Sequence, residues 1–232
     1  MRAWRTCRPS MEDRGTPLPR GPAVAPWRRS GYALTMSSPA PRQACWDDLL
    51  DVRDDHIGEI VNGELRLHPR PGAPHAETTS DLGALLLPPF RFGRGGPGGW
   101  VIVHEPRVAL AEDIRVPDLA GWRAERYRRP LSGPYAVIPD WVCEVLSPGT
   151  AVMDRTEKLP LYARCSVPWL WLIDPVACTL EAYRREAEGY LLVVTAHGVG
   201  MLRVPPFDAI ELELELLWGD RFDPNAARGR EE

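Results

Sequence analysis

One carboxylate stands inside a short apolar run in the second half of the chain. The run is Trp141 to Leu146, and its only charged residue is Glu144. Burying a lone carboxylate is costly unless it is paired or binds a metal ion. A Ser-Pro-Gly turn follows at 147–149, and a segment with helical spacing then brings Lys158. The segment therefore combines an acid in a buried-type strand with an amine on the helix that follows it.

Lys158 is the only lysine in the chain, since 27 of the 28 basic residues are arginines. Arginine stays charged and spreads its charge over a planar fork, whereas lysine is a compact charge whose pKa can move. Lysine at this one position favours a chemical role. The alternative is a solvated lysine on a helix surface.

Two further acidic residues stand in unusual places. Asp118 follows a proline inside an apolar run, and Glu59 precedes an Asn-Gly turn. Two carboxylates on neighbouring strands could hold Mg²⁺, which takes one or two carboxylates and keeps several waters. Such an ion activates water and stabilises charge on a phosphate, and Lys158 could orient the water or neutralise the developing charge. The alternative is that these carboxylates point to solvent and do no chemistry.

The first 36 residues differ from the rest of the chain. They hold seven arginines against Glu12 and Asp13, many prolines and no apolar segment of the kind that a signal peptide needs. We predict that 1–36 is a disordered or mis-annotated extension, with Met36 as the natural start, that 37–220 is one domain, and that 221–232 is a polar tail. The formal net charge is −4, and it becomes −9 without the extension. This acidity does not favour a general nucleic-acid binder.

The five cysteines are scattered and form no CxxC pair. They do not indicate a zinc site or a disulfide framework, so a reducing cytoplasm is the expected compartment. The longest apolar run is too short to span a bilayer, and we expect no membrane association.

Hydrophobic spacing and turn residues predict strands interrupted by helices, which indicates a mixed α/β sheet in one domain. Asn62-Gly63 predicts a hairpin, and Pro88-Pro89 predicts the end of a helix. The predicted helices are 46–52, 75–87 and 154–164. The predicted strands are 57–61, 64–68, 100–104, 107–110, 114–122, 141–146, 169–173, 179–184, 190–195 and 210–216.

At this point five segments carry a resemblance. The sequence resembles the Uma-type restriction endonucleases, a branch of the PD-(D/E)XK nuclease superfamily. The segments, which together span most of 45–215, are EIVNGELRLHPRPGAPHA from Glu59, VPDLAGW from Val116, IPDWVCEVLSP from Ile138, DRTEKLPLYA from Asp154 and VPWLWLIDP from Val167. The resemblance implies a restriction-endonuclease-like core, with a mixed central β-sheet flanked by α-helices. It also implies that Asp118 and Glu144 are metal ligands and that Glu59 is an additional catalytic acid.

The resemblance also bears on the lysine. The superfamily signature has lysine two residues after the second carboxylate, where this chain has Leu146. The Uma-type pattern carries its lysine on the following helix, and Lys158 matches that position. Pro160 stands two residues further on and predicts a kink that could re-aim the lysine. His75 matches the family's histidine, which could contact a phosphate or act as a local helix cap.

These observations predict a metal-dependent endonuclease that hydrolyses DNA with Asp118, Glu144, Lys158 and Glu59, using Mg²⁺ or Mn²⁺. Expected DNA contacts are His75 and the arginine cluster Arg123, Arg126, Arg128 and Arg129, together with Arg91 and Arg94. One alternative is an inactive nuclease-fold protein that acts as a nucleic-acid or protein interaction module. Another is a hydrolase of other phosphate esters. Cutting both strands would need two sites, so a homodimer is expected, with 210–216 as a candidate surface.

Overall fold

The computed structural model describes residues 42–219. Its helices are α1 Trp46–Leu50, α2 Ala73–Leu86, α3 Ala151–Met153 and α4 Leu159–Arg164, with π turns at Leu87–Arg91 and Asp154–Lys158 and a 3-10 helix at Leu214–Leu217. Its strands are β1 His56–Val61, β2 Glu64–Pro69, β3 Trp100–His104, β4 Val108–Leu110, β5 Asp113–Arg115, β6 Leu119–Arg123, β7 Trp141–Val145, β8 Trp169–Asp174, β9 Thr179–Glu186, β10 Gly189–His197, β11 Met201–Leu202 and β12 Leu212–Glu213.

A six-stranded mixed sheet forms the centre of the protein, in the order β10-β9-β8-β7-β6-β3. Only β7 and β8 are parallel within it, and the helical segment 151–164 connects them. A parallel pair needs such a crossover, since a tight turn cannot join strands that run the same way. The mixed α/β fold predicted from the sequence is therefore confirmed.

Two apolar clusters cover the two faces of this sheet. Side chains alternate along a strand, so Trp141, Cys143 and Val145 face one cluster, which contains α2. Val142 faces the other cluster, which contains Leu161 and Tyr162 of α4. Glu144 has the same parity as Val142 and therefore points toward α4.

A second sheet has the order β2-β1-β5-β4. Its hairpin turns at Asn62 and Gly63, whose φ angles of 52° and 80° are those of a type I′ turn, as predicted. The strand predicted at 114–122 is two strands: β5 belongs to this sheet and β6 to the large one. Pro117 lies in the break, where the missing N–H is tolerated because the chain is changing sheets. Asp118 therefore lies at a junction between sheets, and the prediction that it stands within a strand was wrong.

Two proline predictions also need correction. Pro88 and Pro89 do not end the helical path at once, because α2 continues into the π turn Leu87–Arg91. Pro160 lies in the first turn of α4, directly after the π turn Asp154–Lys158. Proline is tolerated there because it lacks only a donor that a first turn does not use. The helical path therefore continues through the wider π turn into α4 and is not interrupted at Pro160.

The predicted strand at 210–216 was also wrong. The structure has only the two-residue β12 followed by a 3-10 helix. The alternation of burial is present, but Leu212, Leu214 and Leu217 pack into the cluster with α2, and only Leu216 is largely exposed. This segment is therefore committed to the chain's own core, which argues against its use as a dimer surface.

In the part of the chain from 42 to 219, no helix is long and apolar enough to cross a membrane.

Phe207 joins the irregular C-terminal segment to the large sheet. Its ring lies 4.7–5.5 Å, between centroids, from the rings of Phe90, Trp100, Trp141 and Trp171. The residue is fully buried. A single side chain thus contacts α2's extension and three strands.

We therefore expect Phe207→Ala to lower the free energy of unfolding by about 3–5 kcal/mol, as for other buried Phe truncations. Urea denaturation followed by tryptophan fluorescence measures this change. The control is Phe92→Ala, since Phe92 is 58% exposed and its truncation should change stability little. Equal effects of the two substitutions would contradict the packing described.

Candidate active site

Strand register brings Asp118 and Glu144 together. Leu119 of β6 pairs with Cys143 of β7 in antiparallel register. Asp118, which precedes Leu119, therefore lies beside Glu144, which follows Cys143. A hydrogen bond holds this arrangement, because the backbone N–H of Val145, the residue after Glu144, donates to Asp118 Oδ2 at 2.7 Å. The sequence predicted two carboxylates on neighbouring strands, and the structure places them side by side.

Glu144 is held by two donors from the helical segment that follows it. Lys158 Nζ donates to Glu144 Oε2 at 2.9 Å, and the hydroxyl of Tyr162 donates to Oε1. All three side chains are buried, Glu144 at 2% exposure and Lys158 at 7%. Lys158 therefore reaches the strand carboxylate, and the bend at Pro160 does not turn it away.

Asp154 is a further acidic residue that the sequence analysis did not assign to the site. Its Oδ1 lies 3.1 Å from Lys158 Nζ, and the residue is 2% exposed. Among the described residues, Oδ1 has no hydrogen-bond donor of suitable geometry. The spacing gave a usable signal, since Asp154, Lys158 and Tyr162 recur at i, i+4 and i+8 on one helix face.

His75 supports Asp118. It lies in the first turn of α2, is 8% exposed, and places Nε2 3.0 Å from Asp118 Oδ2. No side chain caps this helix, so the alternative of a local cap is not what the structure has. The geometry gives His75 a role in orienting Asp118, whereas a role in phosphate contact stays a prediction.

Glu59 holds the segment between the sheets. Its Oε1 accepts the backbone N–H of Val116 at 2.8 Å, and its Oε2 lies 3.3 Å from Arg115 Nη1. Arg115 also pairs with Asp113, at 3.1 Å. Glu59 is thus a neutralised, buried anchor two residues from Asp118, a role that the hairpin pattern alone did not reveal.

These side chains surround a small pocket of about 40 Å³, which we call the carboxylate pocket. Its charged lining is four carboxylates and one amine: Glu59, Asp118, Glu144, Asp154 and Lys158. The volume is close to the share of one water in the liquid. Arg115 balances Glu59, but the other three carboxylates face one amine, so negative charge is still in excess in a buried place, which is unfavourable without a further cation.

The directions in which the pKa values shift agree with this excess of negative charge. Burial raises the pKa of Glu144 well above its usual range; Lys158 and Tyr162 oppose the shift, and the other carboxylates add to it. Burial alone would lower the pKa of Lys158, but the pocket's carboxylates together raise it well above its usual range. The amine is therefore protonated, and a proton or a metal ion can relieve the remaining repulsion.

The donor set fits a hard divalent cation. No group of three or more His, Cys, Asp or Glu side chains within residues 42–219 is arranged to hold a metal ion. Mg²⁺ needs only one or two carboxylates with water, which Asp118 and Glu144 can supply. Each carboxylate oxygen has two lone pairs, so an oxygen that accepts a hydrogen bond can still coordinate.

The arginine cluster begins at the end of β6 that is remote from Asp118. Arg123 ends β6, five residues from Asp118, so roughly 17 Å separates them along the strand. Arg126 pairs with the buried Asp140, the Arg123 guanidinium lies 4.1 Å from the Trp100 ring centroid, and Arg128 donates to carbonyls of its own loop. Arg123 therefore lies at the end of β6 away from Asp118, and contact between the arginine cluster and DNA stays a prediction.

The buried pairing predicts unequal effects on stability. Lys158→Met leaves two buried carboxylates without their partner, and removing one member of a buried pair costs about 3–5 kcal/mol. Glu144→Gln should cost less, because Lys158 keeps Asp154 and the amide oxygen can still accept from Tyr162. The control is Glu157→Gln, which breaks an exposed pair with Arg66 on the same helical segment and should cost about 0–1 kcal/mol. Chemical denaturation measures all three, and a Lys158→Met protein as stable as the control would contradict a buried pair.

Comparison with known proteins agrees with this fold. The model of the Uma2 family, described as "putative restriction endonuclease", matches residues 46–216. The solved structure of a putative nuclease belonging to DUF820 from Anabaena variabilis ATCC 29413 is similar, with a TM-score of 0.59 and 22% identity over 75% of this chain and 96% of that one. No curated protein gives a match. The family match covers the strands, the crossover helix and all four pocket carboxylates, and the chain belongs to the Uma2 family of restriction-endonuclease-like nucleases.

Proposed function

We propose that this protein is a metal-dependent endonuclease that hydrolyses phosphodiester bonds in DNA. The observation that supports it most is the carboxylate pocket, in which Asp118, directly before β6, lies beside Glu144 of β7, and Lys158 binds Glu144. A site of excess buried negative charge beside one amine suits a divalent cation and a phosphate substrate.

Each side chain has a role in this proposal. Asp118 and Glu144 would bind Mg²⁺ or Mn²⁺, which supplies Lewis-acid stabilisation of a phosphate and a more acidic water. Lys158 carries a fixed positive charge that can stabilise the phosphate as negative charge builds on it. His75 and Tyr162 orient the two carboxylates, and Glu59 fixes the backbone before Asp118.

The first prediction from this proposal concerns cleavage. Wild-type protein should nick or linearise plasmid DNA with Mg²⁺ or Mn²⁺ and not with EDTA. Asp118→Asn and Glu144→Gln should each lower the cleavage rate at least about 100-fold, since each removes a charge that binds the metal. Gel electrophoresis of plasmid time courses measures the rates, with thermal melts confirming that each variant is folded.

The matched control is again Glu157→Gln, which removes a carboxylate from the same helical segment outside the pocket. It should cleave at the wild-type rate. A folded wild type that cuts neither plasmid nor single-stranded DNA with either metal, at low or moderate salt, would count against the endonuclease and favour an interaction module. Cleavage of small phosphate esters without cleavage of DNA would favour the alternative that the protein is a hydrolase of other phosphate esters.

The second prediction concerns metal binding itself. Because the pocket holds negative charge in excess, millimolar Mg²⁺ or Mn²⁺ should raise the melting temperature of the wild type, as any ligand of the native state does. The rise should vanish in the Asp118→Asn/Glu144→Gln double variant and persist in Glu157→Gln. Scanning calorimetry with and without metal tests this independently of activity. An equal rise in all three proteins would mean that the metal acts elsewhere.

A homodimer remains part of the proposal, since cutting both strands needs two such sites. Sedimentation of the protein with and without duplex DNA measures the oligomeric state directly.

A further inference from the structure

A larger pocket adjoins the carboxylate pocket. Its volume is about 350 Å³, and Ile57 and Val116 line both. We call it the lateral pocket, and its lining includes Trp46, Arg70, Glu105, Arg107 and Tyr135. This volume lies within the usual range of about 300–1,000 Å³ for small-ligand sites.

The backbone ties this pocket to the active site. Glu105 at its rim has a positive φ of 42°, and its N–H donates to the backbone carbonyl of Asp118 at 3.0 Å. A non-glycine residue in this conformation is uncommon and is held by its surroundings. The lateral pocket therefore lies beside the backbone of Asp118, whose side chain is proposed to bind metal.

The charge of the lateral pocket is opposite to that of its neighbour. Arg70 and Arg107 outnumber the one carboxylate, Glu105, in a chain whose formal net charge is −4. Arg70 is 50% exposed and pairs with Glu105 at 2.9 Å, so an incoming anion could share this guanidinium. A pocket with basic excess beside a metal site is suited to a phosphate next to the one that reacts.

Aromatic faces complete the pocket. The Arg107 guanidinium lies 5.7 Å from the Trp46 ring centroid and also donates to Leu49 O at 3.3 Å, which fixes it in place. Tyr135 is half-buried on another wall and stacks on Trp122 at 4.9 Å between centroids. Aromatic rings accept a nucleobase of any sequence on their faces, but only one that is out of the duplex stack.

We propose that the lateral pocket binds an unpaired nucleotide next to the scissile phosphate, so that the substrate is single-stranded, or locally opened, nucleic acid. This inference rests on the proposed nuclease function and names its substrate. The base stacks against Trp46 or Tyr135, and Arg70 contacts the adjoining phosphate. A rigid duplex cannot place a base in such a concave pocket without unpairing it.

The test is fluorescence anisotropy of the full-length protein with labelled oligonucleotides, in EDTA to prevent cleavage. The probes are single-stranded DNA, single-stranded RNA of the same sequence, and the matching DNA duplex. We expect single strands to bind more tightly than the duplex, and the two single-stranded probes show which sugar is preferred. Duplex binding equal to or tighter than single-strand binding would overturn the proposal.

Substitutions in the lateral pocket test whether the nucleotide binds there. Trp46→Leu should weaken single-strand binding at least about fivefold through lost stacking, and Trp46→Phe should restore most of it. Arg70→Ala should weaken binding and reduce the slope of log affinity against log salt by about 0.7, the value for one phosphate contact on a single strand. The matched control is Arg184→Ala, whose arginine is 51% exposed and pairs with Glu186 at 2.9 Å on β9.

Cleavage of the same single strands with Mg²⁺ separates this inference from the nuclease proposal. If cleavage occurs but Trp46→Leu and Arg70→Ala behave like Arg184→Ala, the lateral pocket is not the nucleotide site and the nuclease stands. If binding depends on both residues but no cleavage occurs, the nucleotide site stands and the nuclease does not. If no probe binds and none is cut, both proposals are wrong. Thermal melts of each variant exclude loss of folding as the cause.

Discussion

The buried contact between Glu144 and Lys158 is the interaction on which the site depends. A carboxylate in the middle of a sheet is tolerable only because an amine and a hydroxyl from the next helix satisfy it. That requirement fixes where the crossover helix must lie on the sheet, and hence the parallel pairing of β7 and β8. It also fixes the position of Asp154, which lies one helical turn before Lys158. The contact between Glu144 and Lys158 thus holds the crossover helix on the sheet and also concentrates charge at the strand ends.

The junction between the two sheets supplies the other half of the site. Pro117 lets the chain leave the small sheet, and Glu59 holds the preceding backbone by accepting the N–H of Val116. Asp118 is therefore positioned at the start of β6 by a connection held at Val116 and by the N–H of Glu105, which donates to its backbone carbonyl. His75 and the N–H of Val145 then orient its carboxylate.

Much of this could be predicted from local pattern, and the failures have physical causes. Hairpin, central strand and crossover helix follow from Asn-Gly, an apolar run and helical spacing, all of which are local signals. The break at Pro117 was missed because residues 114–122 are apolar on both sides of it, and only tertiary pairing shows that they belong to different sheets. The distance of Arg123 from Asp118 could not be predicted locally, because it depends on where β6 begins and which way it runs. The 210–216 segment alternates like a strand, but its leucines pack against α2 as a 3-10 turn.

The single lysine has a practical consequence for chemistry done on this protein. Apart from the α-amino group at the N-terminus, Lys158 carries the only primary amine in the chain, and it is 7% exposed and protonated in a cluster of acids. Acylating reagents attack neutral, accessible amines, so the folded protein should resist them at this position. The rate of acylation at Lys158 therefore reports how often the crossover helix detaches from the sheet, with no engineered label.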